Sequence, residues 1–423
     1  MTRAPRSGIL LCMSAYEDIK LEGHIIDSLL LPQVLDDILE RGGEYRILRF
    51  RMGRNKDDHS TALLRVTADD TEHLEGILRD LQQHGVELVD QEDVRVAPAP
   101  ADGVFPDNFY STTNLETFVR LDGRWIPVKW PEMDCGVLVD TASGTARTIP
   151  LIQVRAGDPV VVGTHGIRAV PLGRDRASRA FQFMGSAVSS EKPKRLVIAR
   201  VARLLREKRA EGKKIVAVLG PAVVHTGAAP AFAKLVAGGW IDVVFGGNAI
   251  AVHDIESAFY NTSLGINLIE GEAVEGGNEH HLRAINRIRA CGGIRPAVEQ
   301  GVLKSGLFYE LAKRDIPYVL AGSIRDDGPL PDVITDSMEA QQAMREHVRD
   351  AGVCLMLCSM LHSIATGNLL PATVHTVSVD INPAVATKLS DRGSFQTIAI
   401  ITDVGLFLDD LVSELEGKTP ATS

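Results

Sequence analysis

Residues 353–381 read "VCLMLCSMLHSIATGNLLPATVHTVSVDI": two near-continuous apolar runs, "VCLMLCS" and "TVSVDI", with a helical segment between them. A strand buried on both faces has no polar side to show, so unalternating runs of this length signal parallel strands with helices packed above and below. Working outward, the same kind of run recurs at "KIVAVLG" (214–220), "IDVVFGG" (241–247), "IPYVLAGS" (316–323) and "TIAIITD" (397–403), each separated by helical segments. Six such strands predict a doubly wound, Rossmann-like α/β domain over residues 186–423. Ligands of that architecture bind beyond the carboxyl ends of the strands, near the point where strand order reverses.

The segments that follow the six runs are therefore the candidate site. They are "GPAVVHTGAAPA", "GGNAIAVHDIE", "AGSIRDDGPLPDVITD", "SMLHSIATGN", "DINPAVATK" and "DVGLF", every one polar or built of small residues. Asp380 closes a strand, where a carboxylate can hold a ribose diol through charge-assisted hydrogen bonds. A helix N-cap is the competing reading for it, and Asn382 before Pro383 competes for that cap. Small residues in "GPAVVHTGAAPA" let backbone amides approach a pyrophosphate, yet no GxGxxG is present. The residues alone imply a nucleotide or another anionic cofactor.

His225, His253 and the "EHH" at 279–281 do not have HExxH spacing, and a loop histidine is more often simply hydrogen-bonded, so no metal site is expected. Lys304, in "VEQGVLKSGLFYELAKRD", has two readings. On an apolar helix it would be desolvated and release its proton readily, as a general base must; alternatively it snorkels to water.

Upstream, "GHIIDSLLL", "LPQVLDDILERGG", "EYRILRFRMG", "STALLRVTA", "DDTEHLEGILRDLQQHG" and "VELVD" follow the order βαββαβ, a ferredoxin-like α+β domain expected over residues 21–98 behind an extension of residues 1–20. Four prolines in 97–110 mark a boundary. Short alternating strands with turns such as "LDGRW" and "ASGTA" then predict a small β-rich domain over 99–185. An open ferredoxin-like sheet commonly pairs with another copy, which predicts a homo-oligomer, dimer or tetramer.

At 423 residues the chain can bury several cores. A formal charge of -10 speaks against a nucleic-acid partner. The one basic stretch, "EKPKRLVIARVARLLREKRAEGKK", reads as the solvated face of an amphipathic helix. No run approaches the ~20 apolar residues of a membrane span. Cys12, Cys135, Cys291, Cys354 and Cys358 form no CxxC pair or disulfide framework, which points to a reducing cytoplasm.

The motifs "GHIIDSLLLPQVLDDILERGGEYRIL", "YSTTNLETFVRLDGRWIPVKWPEMDC", "GPAVVHTGAAPA", "GNAIAVHDIE", "VLAGSIRDDGPLPDVITD", "MLHSIATGNLLPA", "VDINPAVATKLSDRGS" and "TDVGLFL" resemble, in order, the lysine-oxoglutarate reductase/saccharopine dehydrogenase (LOR/SDH) conserved-region family. That family includes the archaeal-type ornithine cyclodeaminases and the cyclodeaminase half of cyanobacterial arginine-catabolic fusions. The resemblance implies NAD-dependent conversion of L-ornithine to L-proline and ammonia by internal hydride transfer. It implies NAD contacts at Asn248, Ala249, Asp327, Ser359, Met360, Leu361, His362, Asp380, Asp403 and Val404, with Asp380 on the ribose and no neighbouring Arg for a 2′-phosphate. For the chemistry, Lys304 or Asp254 is expected in proton transfer and Arg325 on the substrate carboxylate. The alternatives are a saccharopine- or lysine-type dehydrogenase and a non-catalytic NAD or amino-acid sensor.

Overall fold

The computed structural model describes residues 15–23, 25–26, 29–53, 58–82, 84–89, 92–170, 194–267, 272, 277–326, 328–385, 388 and 397–417. The chain divides into two compact units, Met1–Arg179 and Ala180–Ser423.

The first unit opens with an antiparallel sheet of β1 (Ala15–Gly23), β2 (Glu44–Arg51), β3 (Ser60–Ala68) and β4 (Glu87–Leu88), in the order β2-β3-β1-β4. Helices Leu30–Glu40 and Thr71–Gln82 connect the halves and pack on it, completing the ferredoxin-like unit. The first strand lies earlier than the sequence reading placed it. In "AYEDIKLEG" Ile19 and Leu21 are buried while Asp18 reaches Arg65 and Lys20 pairs with Glu22, so this stretch, and not "GHIIDSLLL", supplies the alternation of a half-buried strand. The extension expected to reach residue 20 thus ends before Ala15.

The second sheet of this unit holds β5 (Arg95–Pro98), β6 (Glu116–Leu121), β7 (Arg124–Lys129), β8 (Gly136–Asp140), β9 (Thr145–Ile149), β10 (Pro159–Val162) and β11 (Ile167–Val170), ordered β11-β6-β7-β9-β8-β10-β5. Asp122 and Gly123, both at positive φ, make the tight β6–β7 turn that "LDGRW" foretold. The proline-rich stretch is not a plain linker. Its first residues pair with β10, and Pro98 is tolerated because β5 is an edge strand.

The second unit contains β12 (Lys214–Leu219), β13 (Val243–Gly247), the hairpin β14 (Thr262–Ser263) and β15 (Ile266–Asn267), then β16 (Tyr318–Ala321), β17 (Val333–Ile334), β18 (Ala351–Leu357), β19 (His375–Asp380) and β20 (Thr397–Ile401). Apart from the hairpin they form one parallel sheet in the order β17-β16-β13-β12-β18-β19-β20. The six apolar runs are its six main strands, and β17 is a short addition from within the loop after β16. Ile215, Ala217 and Leu219 of β12 enter one apolar core while Val216 and Val218 enter another, so both faces are covered. That two-sided burial is why the strands lack alternation.

The basic stretch forms the helix Lys194–Ala210, which buries Ile198, Val201, Ala202 and Leu205 and turns its charges outward. Strand order reverses between β12 and β18. Both run parallel there, and the crevice beyond their carboxyl ends is the architecture's binding position.

Candidate active site

The strand ends meet most tightly at the reversal. A Cβ added to Gly220, just past β12, would stand 1.7 Å from the carbonyl oxygen of Cys358, just past β18. Only glycine allows the two chains to approach this closely. Cys358 itself has a φ of 50°, the left-handed conformation that a fingerprint glycine normally supplies. Its thiol is pushed up to about 12 by burial and by the carboxylates of Asp380 and Asp403, so the three residues share one corner of the crevice.

Past Cys358, Ser359 is buried, Met360 and Leu361 are exposed, and the helix Leu361–Leu369 begins. His362 is half-buried and packs beside Gly247 of β13, where an added Cβ would come within 2.9 Å of its ring. Burial holds its imidazole below the ordinary histidine value, opposed by the charge of Asp326. Asp380 follows Ser359 by about twenty residues, the interval at which a βαβ nucleotide unit places its ribose acid. Its Oδ1 accepts from the Asn382 N–H at 2.8 Å, and Oδ2 has no hydrogen bond among the described residues. Asn382 takes the cap instead, accepting from the Ala384 N–H at 2.9 Å.

On the other side of the reversal, helix Asn248–Tyr260 starts directly from β13. Buried Asn248 accepts the Leu330 N–H on Oδ1 at 3.0 Å, and Ala249 sits half-buried behind it. The loop after β16 is pinned by its own acids as well. Asp326 closes a turn by accepting from the Ser323 N–H at 2.9 Å. Asp332 accepts from Tyr318 Oη at 2.8 Å and from the Ile294 N–H at 3.0 Å, and Asp336 caps the helix Ser337–Val348. Asp327 lies outside the described residues.

The expected catalytic groups are placed less uniformly. Asp254 is 2 % exposed, and its two oxygens accept the N–H groups of Leu307 and Phe308 at 2.9 and 2.8 Å. It therefore anchors the start of helix Leu307–Lys313, and burial, only partly offset by those two bonds, pushes its carboxyl up to about 6. Lys304 is exposed on the loop before that helix, so the expectation of a desolvated lysine on an apolar helix is not met. Arg325 is exposed at the tip of the loop after β16, and no ion pair joins it to Asp326 among the described residues. Asp403 caps the helix Val404–Leu415 through the Leu406 N–H at 3.0 Å, and Val404 is buried in the core.

A group the sequence reading passed over is Glu256. It is fully buried and accepts from His253 Nδ1 (2.9 Å), Thr262 Oγ1 (2.9 Å), the Leu264 N–H (3.2 Å) and the Gly265 N–H (3.0 Å). Nothing in "HDIESAFYN" flags it beyond the His253 three residues before it, because its other three donors come from the hairpin that follows.

A dinucleotide fits these residues. The unit β18–helix–β19 has the βαβ form, a helix N-terminus at Leu361, a carboxylate oxygen at Asp380 that is open among the described residues, and a backbone approach that the missing side chain of Gly220 keeps clear. The absent GxGxxG is replaced by a left-handed cysteine and by a glycine from the neighbouring strand.

Fold and site together define a Rossmann-like, dinucleotide-dependent α/β protein with an appended ferredoxin-like module. Residues 16–115 match the LOR/SDH bifunctional enzyme conserved region, residues 116–198 the first C-terminal region of ArgZ-like arginine dihydrolases, and residues 199–411 their C-terminal Rossmann fold. The ornithine cyclodeaminase of Methanopyrus kandleri is 53% identical over 95% of this chain and 97% of its own. The bifunctional arginine dihydrolase/ornithine cyclodeaminase AgrE of a Nostoc species is 44% identical over 95% of this chain, which spans 58% of that protein. Apo ArgZ superimposes with a TM-score of 0.84 at 39% identity over 96% of this chain and 58% of its own. AgrE has been solved as a ternary complex with ornithine and NAD+, and superimposes with a TM-score of 0.52 at 42% identity, over 96% of this chain and 58% of its own. The chain belongs to the LOR/SDH family and, within it, to the ornithine cyclodeaminases.

Proposed function

We infer that this chain is an NAD-dependent ornithine cyclodeaminase, converting L-ornithine to L-proline and ammonia. The observation that carries the reading is near-full-length identity of about half to five ornithine cyclodeaminases, joined to a dinucleotide-type crevice in the second unit. When bound, NAD supplies the acceptor for the Cα hydride of ornithine and returns that hydride to the cyclic imine, so no net reduction accumulates. Asp380 takes the ribose diol through its open oxygen. Asn248 and Ala249 at one helix start, and Ser359, Met360, Leu361 and His362 at another, line the crevice from both sides of the reversal. Asp403 and Val404 contribute backbone amides at a third helix start, and Asp327 completes the set. Arg325, exposed at the tip of the loop after β16, is assigned to the substrate carboxylate, Lys304 is exposed on its loop, and Asp254, spent on a helix start, keeps a structural duty.

The chain works as a homo-oligomer in the cytoplasm. Edge strand β2 leaves Ile47, Leu48 and Phe50 exposed, which supports the first point, and Cys291, Cys354 and Cys358 stand outside any disulfide, which supports the second. Among the described residues no helix is long and apolar enough to cross a membrane.

Purified protein incubated with ornithine and NAD is expected to yield proline and ammonia in equal amounts without steady NADH accumulation. Accumulating NADH would instead identify a saccharopine- or lysine-type dehydrogenase, and tight NAD binding without turnover of any diamino acid would identify a sensor.

A further inference from the structure

Beside the dinucleotide crevice lies a cluster of titratable side chains that also ties the hairpin β14–β15 to the helix before it. Helix Ala222–His225 starts after the carboxyl end of β12 and helix Asn248–Tyr260 after that of β13, and β12 and β13 are adjacent in the sheet. This brings the rings of His225 and His253 to a centroid distance of 4.8 Å. His253 stands about 7.5 Å along its helix from Asn248, at 1.5 Å per residue. Behind His253 is the buried Glu256, and behind Glu256 come Thr262 and His280, whose Nδ1 lies 2.8 Å from Thr262 Oγ1.

The proton directions in this chain follow from donor counting. A carboxylate only accepts, so His253 presents Nδ1–H to Glu256 and Thr262 spends its single hydroxyl proton on the other oxygen. Thr262 Oγ1 must then accept from His280, which places a proton on His280 Nδ1. Burial pushes the Glu256 carboxyl up, but the bonds from His253, Gly265 and Thr262 outweigh it and hold the group below the ordinary carboxylate value. The result is a buried negative charge held by hydrogen bonds from His253, Thr262, Leu264 and Gly265, with no Lys or Arg paired to it among the described residues.

His225 is the half-buried end of the series. Its Nδ1 lies 2.6 Å from Ser263 Oγ, and Nε2 has no partner among the described residues. Burial and the neighbouring His253 hold its imidazole below the ordinary histidine value, against the opposing pull of Glu256, so it is neutral and able to accept a proton near neutral pH. The hairpin that delivers these contacts is itself strained. Leu264 adopts a left-handed φ of 54°, rare for a branched side chain, and from there donates its N–H to Glu256.

We propose that His225 takes a proton from the α-ammonium of the diamino-acid substrate and returns it to the departing nitrogen, with His253 and Glu256 as positioning residues behind it. This rests on the ornithine cyclodeaminase reading. The balance is closed. His225 accepts one proton as the α-ammonium becomes an amine, which can then release its Cα hydride to the dinucleotide. The δ-ammonium loses one proton to solvent before its amine bonds to Cα, and the ring nitrogen so formed loses a second. His225 then gives its proton to the exocyclic nitrogen, whose C–N bond breaks to release ammonia as the ring lone pair forms the cyclic imine. Solvent returns the two protons to the released ammonia and to proline. His225 ends neutral and ready for the next cycle.

The test uses the full-length holoenzyme. H225Q is expected to lower kcat by about a hundredfold or more, the usual contribution of a positioned acid–base group, with NAD affinity and Tm as in the wild type. The low-pH limb of the kcat profile should vanish, and added imidazole should restore part of the activity of H225A. E256Q, which keeps the shape of the side chain, should lower kcat and move the low-pH limb downward, because the charge that raises the His225 pKa is gone. Wild-type-like kcat and pH profile in H225Q would overturn the proposal, as would parallel loss of Tm, NAD affinity and kcat with no imidazole rescue. Should wild-type protein make no proline at all, the cyclodeaminase reading fails first and the proposal falls with it; proline formation with unaltered H225Q kinetics sinks the proposal alone.

Discussion

Replacing Gly220 by alanine puts one methyl group where strands β12 and β18 come together. The added Cβ would lie 1.7 Å from the Cys358 carbonyl oxygen and 2.6 Å from its carbon. Carbon and oxygen tolerate about 3.3 Å at closest, so the two strand ends must part by about 1.6 Å. Neither can do so freely: Gly220 N–H donates to the Leu357 carbonyl and Cys358 N–H to the Val379 carbonyl, at 2.9 Å each. Overpacking by one methylene in a rigid core commonly costs 1–3 kcal/mol, and here both partners are backbone, so the loss should reach or exceed about 3 kcal/mol and take NAD binding with it. Chemical denaturation followed by circular dichroism, with NAD titration in parallel, reads both effects. Gly367 in helix Leu361–Leu369 is the control, since the nearest neighbour to its added Cβ is Met356 at 3.9 Å. G367A should gain about 0.5–1 kcal/mol from helix propensity. A G220A protein as stable as wild type, with unchanged NAD affinity, would show that the approach at the reversal is not a constraint on the fold.

The D380N substitution keeps the Oδ1 bond to Asn382 and removes the charge offered to a ribose. NAD affinity should fall by about 10- to 100-fold, the equivalent of losing one charge-assisted hydrogen bond, with Tm unchanged; calorimetric titration within twofold of wild type would remove Asp380 from the site. Asp254 predicts a pH effect of definite sign. Its folded value of about 6 lies above the ordinary 3.8, so the group stabilises the fold fully below 3.8 and loses that contribution as pH rises through about 6. At 1.36 kcal/mol per pH unit the gap amounts to about 3 kcal/mol. Urea unfolding of wild type and D254N between about pH 4 and about pH 7 should therefore give diverging stability curves, and parallel curves would contradict the assignment.

How much of this was legible depended on whether a feature is local. The six parallel strands were readable because burial on both faces leaves an unbroken apolar run, and Asp380 was readable because a strand end is a sequence position. The first strand was misplaced by several residues: Ile19 and Leu21 do alternate with Asp18, Lys20 and Glu22, but two apolar positions are a weaker signal than the longer apolar run of "GHIIDSLLL" that follows. The Gly220–Cys358 approach was invisible, because it requires knowing that β12 and β18, distant in sequence, are neighbours. Glu256 was missed for the same reason. In the helix "NAIAVHDIESAFY" it is one more acid three residues after a histidine, and only the fold of the hairpin after it adds the other three donors.

The loop after β16 shows how such non-local bonds bear on the reaction. As a strand-end segment it was a candidate for ligand contact, yet Asp326, Asp332 and Asp336 each close a turn, hold a neighbouring element or cap a helix. Asn248 pins the same loop from the start of the helix after β13, and Arg289 donates to the Pro329 carbonyl at 2.6 Å. A cycle in which a hydride leaves and returns to the same substrate needs its imine held close to the cofactor and away from water throughout. A wall fastened at several points suits that need better than one free to swing open between the two hydride steps. Asp326, Asp332 and Asp336 thus serve the chemistry by keeping their own loop in place, so that the exposed Arg325 at its tip is carried by a fixed wall.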